Sequence, residues 1–154
     1  MRAFILLLLK RINPLMRILL FSLLAFVLSF PAFAHSFQTG DIKIGHPWAL
    51  PTAPGAENGE AYLALMNVGK NAEQLQGATT SIAKKITLQQ DGQTVNGIDL
   101  APGRGVSLIP GKNFLKLEGL KGGLSAGDKF TVKLKFASAP PVDVTVFVED
   151  QADH

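Results

Sequence analysis

Residues 129–136 read KFTVKLKF, and residues 142–148 read VDVTVFV. In the first stretch Phe130, Val132, Leu134 and Phe136 alternate with Thr131, Lys133 and Lys135. In the second, Val142, Val144, Val146 and Val148 share one parity. A strand turns successive side chains to opposite faces, so this pattern predicts a sheet with one face in a core and the other in water. An apolar stripe on a helix would instead need spacings of three and four residues. The same alternation recurs in DIKIGH (41–46), with Ile42 and Ile44, in KKITLQQ (84–90), with Ile86 and Leu88, and in NFLKLEG (113–119), with Leu115 and Leu117. TVNGI (94–98) and GVSLI (105–109) are shorter strand candidates, and AYLALMN (61–67), apolar on both faces, reads as a central strand.

Punctuation by Pro54-Gly55, Asp91-Gly92, Pro102-Gly103, Pro110-Gly111, Gly127-Asp128 and Pro140-Pro141 separates these runs. Turn signals every 8–12 residues or so predict an all-β chain of about eight or nine strands, a β-sandwich or a Greek-key barrel. No long segment of helical period, no repeat and no dividing linker follows residue 34, so residues 35–154 are expected to form a single domain. Residues 35–40 and 149–154 read as loose ends. The longest irregular stretch is Pro47-Trp48 with ALPTAPGAENGE (49–60). Trp48, the only tryptophan, is expected to plug one end of the sandwich, where an indole buries much apolar area.

Residues 1–34 have a different character. Arg17 precedes the apolar run ILLFSLLAFVL (18–28), and Ala32-Phe33-Ala34 gives small residues at a cleavage position before His35. These are the three parts of a secretory signal peptide. Met16-Arg17 begins a complete signal by itself, which makes Met16 a candidate for the true start. An uncleaved anchor is the alternative, but the run is short for a span of about 20 residues. Of the 15 basic residues, Arg2, Lys10, Arg11 and Arg17 lie in this leader, leaving 11 against 12 acidic residues in the rest. The basic pI therefore belongs to the leader, and neither a nucleic-acid partner nor a membrane span after cleavage is expected. Cysteine is absent from a chain destined for export, so the fold must stand on its core. Export without cysteine suits a periplasmic location.

No nucleophile–base set, zinc-protease motif or phosphate-binding loop is visible, and an enzyme is not expected. Glu57 and Glu60 share what reads as a polar loop. Three histidines exist: His35, His46 and His154. Cleavage after Ala34 would make His35 the first residue, whose α-amine and imidazole can chelate one metal, and imidazole suits copper, zinc and nickel. A mobile polar terminus is the plainer reading of His35. His46, before a proline at a strand end, is a structural histidine or a second metal ligand. Met66 is expected to fill core space.

Several stretches taken together resemble the PCuAC family of periplasmic copper chaperones: IKIGHPWA (42–49), PTAPGA (51–56), EAYLALMNVG (60–69), LIPGKNFLKLEGLKGGLSAGD (108–128) and FTVKLKF (130–136). The resemblance implies a cupredoxin-like β-sandwich, export, and Cu(I) carriage toward cytochrome oxidase assembly. It also implies copper ligands: a His on the strand resembling KKITLQQ, a Met in the following hairpin, and a His-x-Met on the strand resembling NFLKLEG. Here Gln89 stands at the first position, the hairpin DGQTVNGIDLAPG (91–103) has no Met, and Phe114 and Lys116 fill the last pair. The family's usual arginine after HPWA is Leu50. A protonated ammonium offers no lone pair and repels a cation, so Lys116 opposes Cu⁺ at such a site. Two functions follow. One is a copper-chaperone-like protein whose copper, if carried, sits at His35 and His46, with oxidase-assembly proteins or another envelope protein as partner. The alternative is a metal-free envelope module that contacts a protein or small molecule through the face of Gln89, Phe114 and Lys116.

Overall fold

The computed structural model describes residues 36–150. They form eleven strands and no helix: β1 (Ser36–Thr39), β2 (Ile42–Ala49), β3 (Asn58–Asn67), β4 (Glu73–Thr80), β5 (Ala83–Gln90), β6 (Gln93–Val95), β7 (Ile98–Leu100), β8 (Gly105–Leu108), β9 (Phe114–Leu120), β10 (Lys129–Phe136) and β11 (Val142–Val148). One continuous path of pairing runs β6-β5-β9-β3-β2-β11-β10-β4-β7, with β1 added beside β2 and β8 beside β3. All neighbours are antiparallel except β2 and β11, which run parallel through Phe147↔Trp48 and Val148↔Ala49. This is the expected all-β, cupredoxin-like architecture.

The alternating runs bury the faces that their parity implies. β10 is buried at Phe130, Val132, Leu134 and Phe136 and exposed at the residues between them. Val144, Val146 and Val148 of β11, Leu115 and Leu117 of β9, and Ile42 and Ile44 of β2 join the same core. β3 lies at the centre of the path, and its inward residues Ala61, Leu63 and Leu65 are all but inaccessible.

Three expectations need correction here, and one strand was not foreseen. Residues 36–39, read as a loose end, pair with β2 from Ser36↔Gly45 to Thr39↔Ile42 across a tight turn at Gly40 (φ 52°). The Thr39 hydroxyl also donates to the Pro140 carbonyl at 2.7 Å. EQLQGATT has too few apolar residues to announce a strand, yet β4 pairs with β10. A register shift at Lys135/Phe136 there places Leu75 opposite Phe136, inside the core. TVNGI is not one strand but is divided between β6 and β7. The break falls at Gly97, where a Cβ would come within 2.5 Å of the end of the Gln74 side chain and push it aside. Finally, Met66 is not core filler: it lies on the outer face of β3, 39% exposed, opposite Lys43 and Gly105.

A β-bulge in β2 has the largest effect on the rest of the molecule. Gly45 pairs with Ala64, but Trp48 pairs with Tyr62, so β2 holds one more residue than β3 between these pairs. His46 occupies the bulge with φ 47°, a left-handed conformation that non-glycine residues seldom adopt. The extra residue reverses the facing of everything after it. Ile42 and Ile44 point into the core, whereas Trp48, of the same parity, points to the outer face with Tyr62. Trp48 is buried, 7% exposed, but it does not plug the sandwich from within.

Candidate functional site

The positions singled out by the resemblance do meet. Gln89 pairs with Phe114, Thr87 with Lys116 and Lys85 with Glu118 across β5 and β9. β6 brings Thr94 against Gln89, and β3 brings Glu60 against Lys116. The alternation that buries Leu88, Leu115 and Leu117 turns all of these side chains outward.

On that face they form a connected polar ladder rather than an open ligand set. The Gln89 side chain is buried, and its Nε2 donates to Thr94 Oγ1 at 2.8 Å and to Thr87 Oγ1 at 3.2 Å. Thr87 Oγ1 donates in turn to Glu118 Oε1 at 3.1 Å, and the same oxygen lies 3.5 Å from Lys116 Nζ. An amide nitrogen has two hydrogens to give, and both are used. Phe114 is half-buried beside Gln89. The ladder offers hard oxygens, an amide and an ammonium, none of which suits Cu(I), a thiophilic ion. Among the described residues His46 is the only histidine and Met66 the only methionine, so a set of two imidazoles and a thioether cannot assemble there. No three His, Cys, Asp or Glu side chains converge among the described residues either.

Next to the ladder lies a second arrangement that the sequence did not reveal. Glu60, read as part of a loop, belongs to β3 and accepts a short hydrogen bond from the Tyr62 hydroxyl. Burial first, then that hydrogen bond and the carboxylate's charge, push the Tyr62 phenol well above its ordinary pKa. Tyr62 stacks on Trp48 at 4.5 Å between ring centroids, and Trp48 pairs with Phe147 of β11 on its other side. The loop Leu50–Thr52 overhangs this area and is tied down by Leu124, whose amide donates to Thr52 Oγ1 at 2.8 Å. A cavity of about 310 Å³ remains between that loop and Glu60, Tyr62 and Lys116. Glu60 and Lys116 are register partners, yet the Lys116 ammonium leans to Glu118 instead.

Of the two proposed metal residues, only His46 is among the described residues. His35 lies outside the described residues, as do His154 and the leader 1–34. His46 stands on the bulge with its side chain 58% exposed, its Nε2 3.8 Å from Glu149 Oε2 and its ring 6.5 Å from that of Trp48. Glu149 had no signal in the sequence. Its place beside His46 comes from the parallel pairing of β2 and β11, and its amide donates to the Ala49 carbonyl at 3.0 Å.

The fold is shared with solved copper-protein domains. The copper-bound PCuAC domain from PmoF2 superposes with a TM-score of 0.71 at 23% identity, covering 75% of this chain and 98% of that one. The Cu(I) form of DR1885 from Deinococcus radiodurans gives 0.60 at 22% identity, covering 79% and 85%. A curated relative, "Putative lipoprotein Lxx21020" from Leifsonia xyli subsp. xyli, is 28% identical over 73% of this chain and 72% of its own length. Residues 42–148 match the family model described as "Putative lipoprotein LpqE-like". The chain belongs to the LpqE-like family and is built on the PCuAC fold.

Proposed function

We propose that this protein is an exported, copper-chaperone-like member of the cell envelope in which the fold is kept and the usual Cu(I) grip is replaced by a closed polar ladder. The observation that carries this reading is Gln89, buried with both amide hydrogens spent on Thr87 and Thr94. Lys116, held beside Glu118, adds a positive charge where a soft cation would have to sit. The copper-bound neighbours support metal traffic as the background of the fold, and the lipoprotein-type relative supports the envelope location that the 1–34 leader suggests. Its role is then binding rather than catalysis, with an oxidase-assembly protein or another envelope protein as the partner.

A second reading has its own support. The cavity lined by Lys116, Glu60 and Tyr62 suits a small polar ligand or a side chain of a protein partner on the same face. The two readings share one test. Competition of the exported chain, residues 35–154, against a Cu(I) chelator is expected to show far weaker binding than a methionine-rich relative. Stoichiometric Cu(I) binding that is lost on Gln89→Ala or Lys116→Ala would overturn the proposal.

A further inference from the structure

Two opposite charges stand across from each other on β3 and β9 and do not pair. Glu60 and Lys116 are register partners, and the Cβ atoms of such partners are about 4.5–5.5 Å apart. An ion pair between them would be the ordinary outcome. Instead Glu60 Oε2 accepts from the Tyr62 hydroxyl, and Lys116 Nζ lies 3.5 Å from Glu118 Oε1. The two arrangements differ in stiffness. Tyr62 is fully buried and stacked on Trp48, so its hydroxyl holds the Glu60 carboxylate in one orientation. The Lys116 side chain is 43% exposed, and an exposed ion pair contributes little, so the ammonium can leave Glu118 at small cost.

We propose that the cavity lined by these residues binds a small aliphatic amino acid as its zwitterion, the ammonium on Glu60 and the carboxylate on Lys116. This rests on the second reading above, that the cavity takes a ligand, and adds the class of ligand. At about 310 Å³ the cavity is at the small end of ligand sites, which run from about 300 to 1,000 Å³. A carboxylate has about four acceptor positions, and among the described residues Glu60 spends one, on Tyr62. Asn58, which also lines the cavity, has no partner for its side-chain amide among the described residues. Leu50 and Pro51 give an apolar rim for an aliphatic side chain. The Leu124 amide on Thr52 Oγ1 ties that loop down, so the rim is set before a ligand arrives. Charge selects the class. A purely cationic ligand at Glu60 would be repelled by Lys116, and a purely anionic one at Lys116 would be repelled by Glu60. A zwitterion satisfies both.

The experiment is a titration of the isotope-labelled exported chain with glycine, L-alanine and L-leucine, each to about 10 mM, followed by backbone amide NMR shifts. Saturable shifts at the residues around the cavity are expected from at least one of them. With that amino acid, Glu60→Gln, which keeps an acceptor for the Tyr62 hydroxyl, and Lys116→Met, which keeps the reach of the side chain, should each weaken binding by at least about tenfold. The N-acetyl and carboxamide derivatives of the same amino acid, each lacking one charge, should bind at least about tenfold more weakly than the zwitterion. Equal or higher affinity for either derivative, or an affinity unchanged by either substitution in a chain whose other resonances stay in place, would overturn the inference and leave a ligand cavity standing. No saturable shift at the cavity from any of these compounds would overturn the inference and the cavity reading together.

Discussion

Gln89 and Glu149 have side chains of nearly the same shape, and the molecule uses them in opposite ways. Gln89, on β5, is enclosed between Phe114 and Thr94 and gives both of its amide hydrogens to threonine hydroxyls. Glu149, just past β11, keeps a third of its side chain in water and reaches an imidazole across 3.8 Å. The first region is closed: a ligand entering it must break bonds already made and leave buried polar groups unpaired, which is costly. The second lies at the surface, where both side chains are partly exposed to solvent. The difference teaches that the place of a binding site in a fold and the chemistry of that place are separable. Strand register keeps the β5–β9 positions convergent whatever residues fill them.

The aromatic row of Tyr62, Trp48 and Phe147 joins the two regions, so removing its middle should disturb both. Trp48→Ala is expected to cost about 3–5 kcal/mol of stability in denaturant unfolding, the usual loss for a buried large aromatic. A loss below about 1 kcal/mol would mean that the two regions are supported independently. Next in size is the contrast itself. Gln89→Leu leaves the Thr87 and Thr94 hydroxyls without their donor and should cost about 1–2 kcal/mol. Glu149→Gln, at an open site, should stay within about 0.5 kcal/mol of the parent. Equal losses from the two would erase the distinction between closed and open.

Glu73 sharpens the comparison as a carboxylate closed by backbone alone. Partial burial pushes its pKa up, but this is outweighed by amide donors, among them Gln74 at 2.9 Å, Ser138 at 3.0 Å and Ala139 at 2.8 Å, which hold the carboxyl below its ordinary value. A lowered folded-state pKa gives stabilisation that is present above the unfolded-state pKa of about 4.3 and is lost as pH falls through the lower folded value. Stability of the parent should therefore exceed that of Glu73→Gln by about 1 kcal/mol at neutral pH, and the gap should close on acidification below about pH 4.5. A gap that does not change with pH would show that the charge of Glu73 plays no part.

Much of the fold was legible because alternation is a local property. KFTVKLKF and VDVTVFV became β10 and β11 with the boundaries read from them, and the outward placement of Phe114 and Lys116 followed from parity alone. β1 and β4 were hidden because each is stabilised by its neighbour's register rather than by its own apolar content; Leu75 and Ala78 are the core residues of β4. Trp48 was misplaced for a sharper reason. Counting by twos from Ile42 and Ile44 sends it inward, and a single extra residue at His46-Pro47 sends it outward. The position of the candidate site was visible and its closure was not. Whether Gln89 is open or covered depends on Thr94 and Phe114 arriving from other strands, and the proximity of Glu149 to His46 depends on one parallel pairing across the length of the chain.

The most direct test of the central claim is the Cu(I) competition titration of the exported chain, run beside the same chain carrying Gln89→His, Phe114→His and Lys116→Met. If the register still aims these positions at one point and only the chemistry has been lost, the variant should bind Cu(I) at least about 100-fold more tightly than the parent, about 2.7 kcal/mol. Tight stoichiometric binding by the parent, or no gain in a variant that folds normally, would contradict the account.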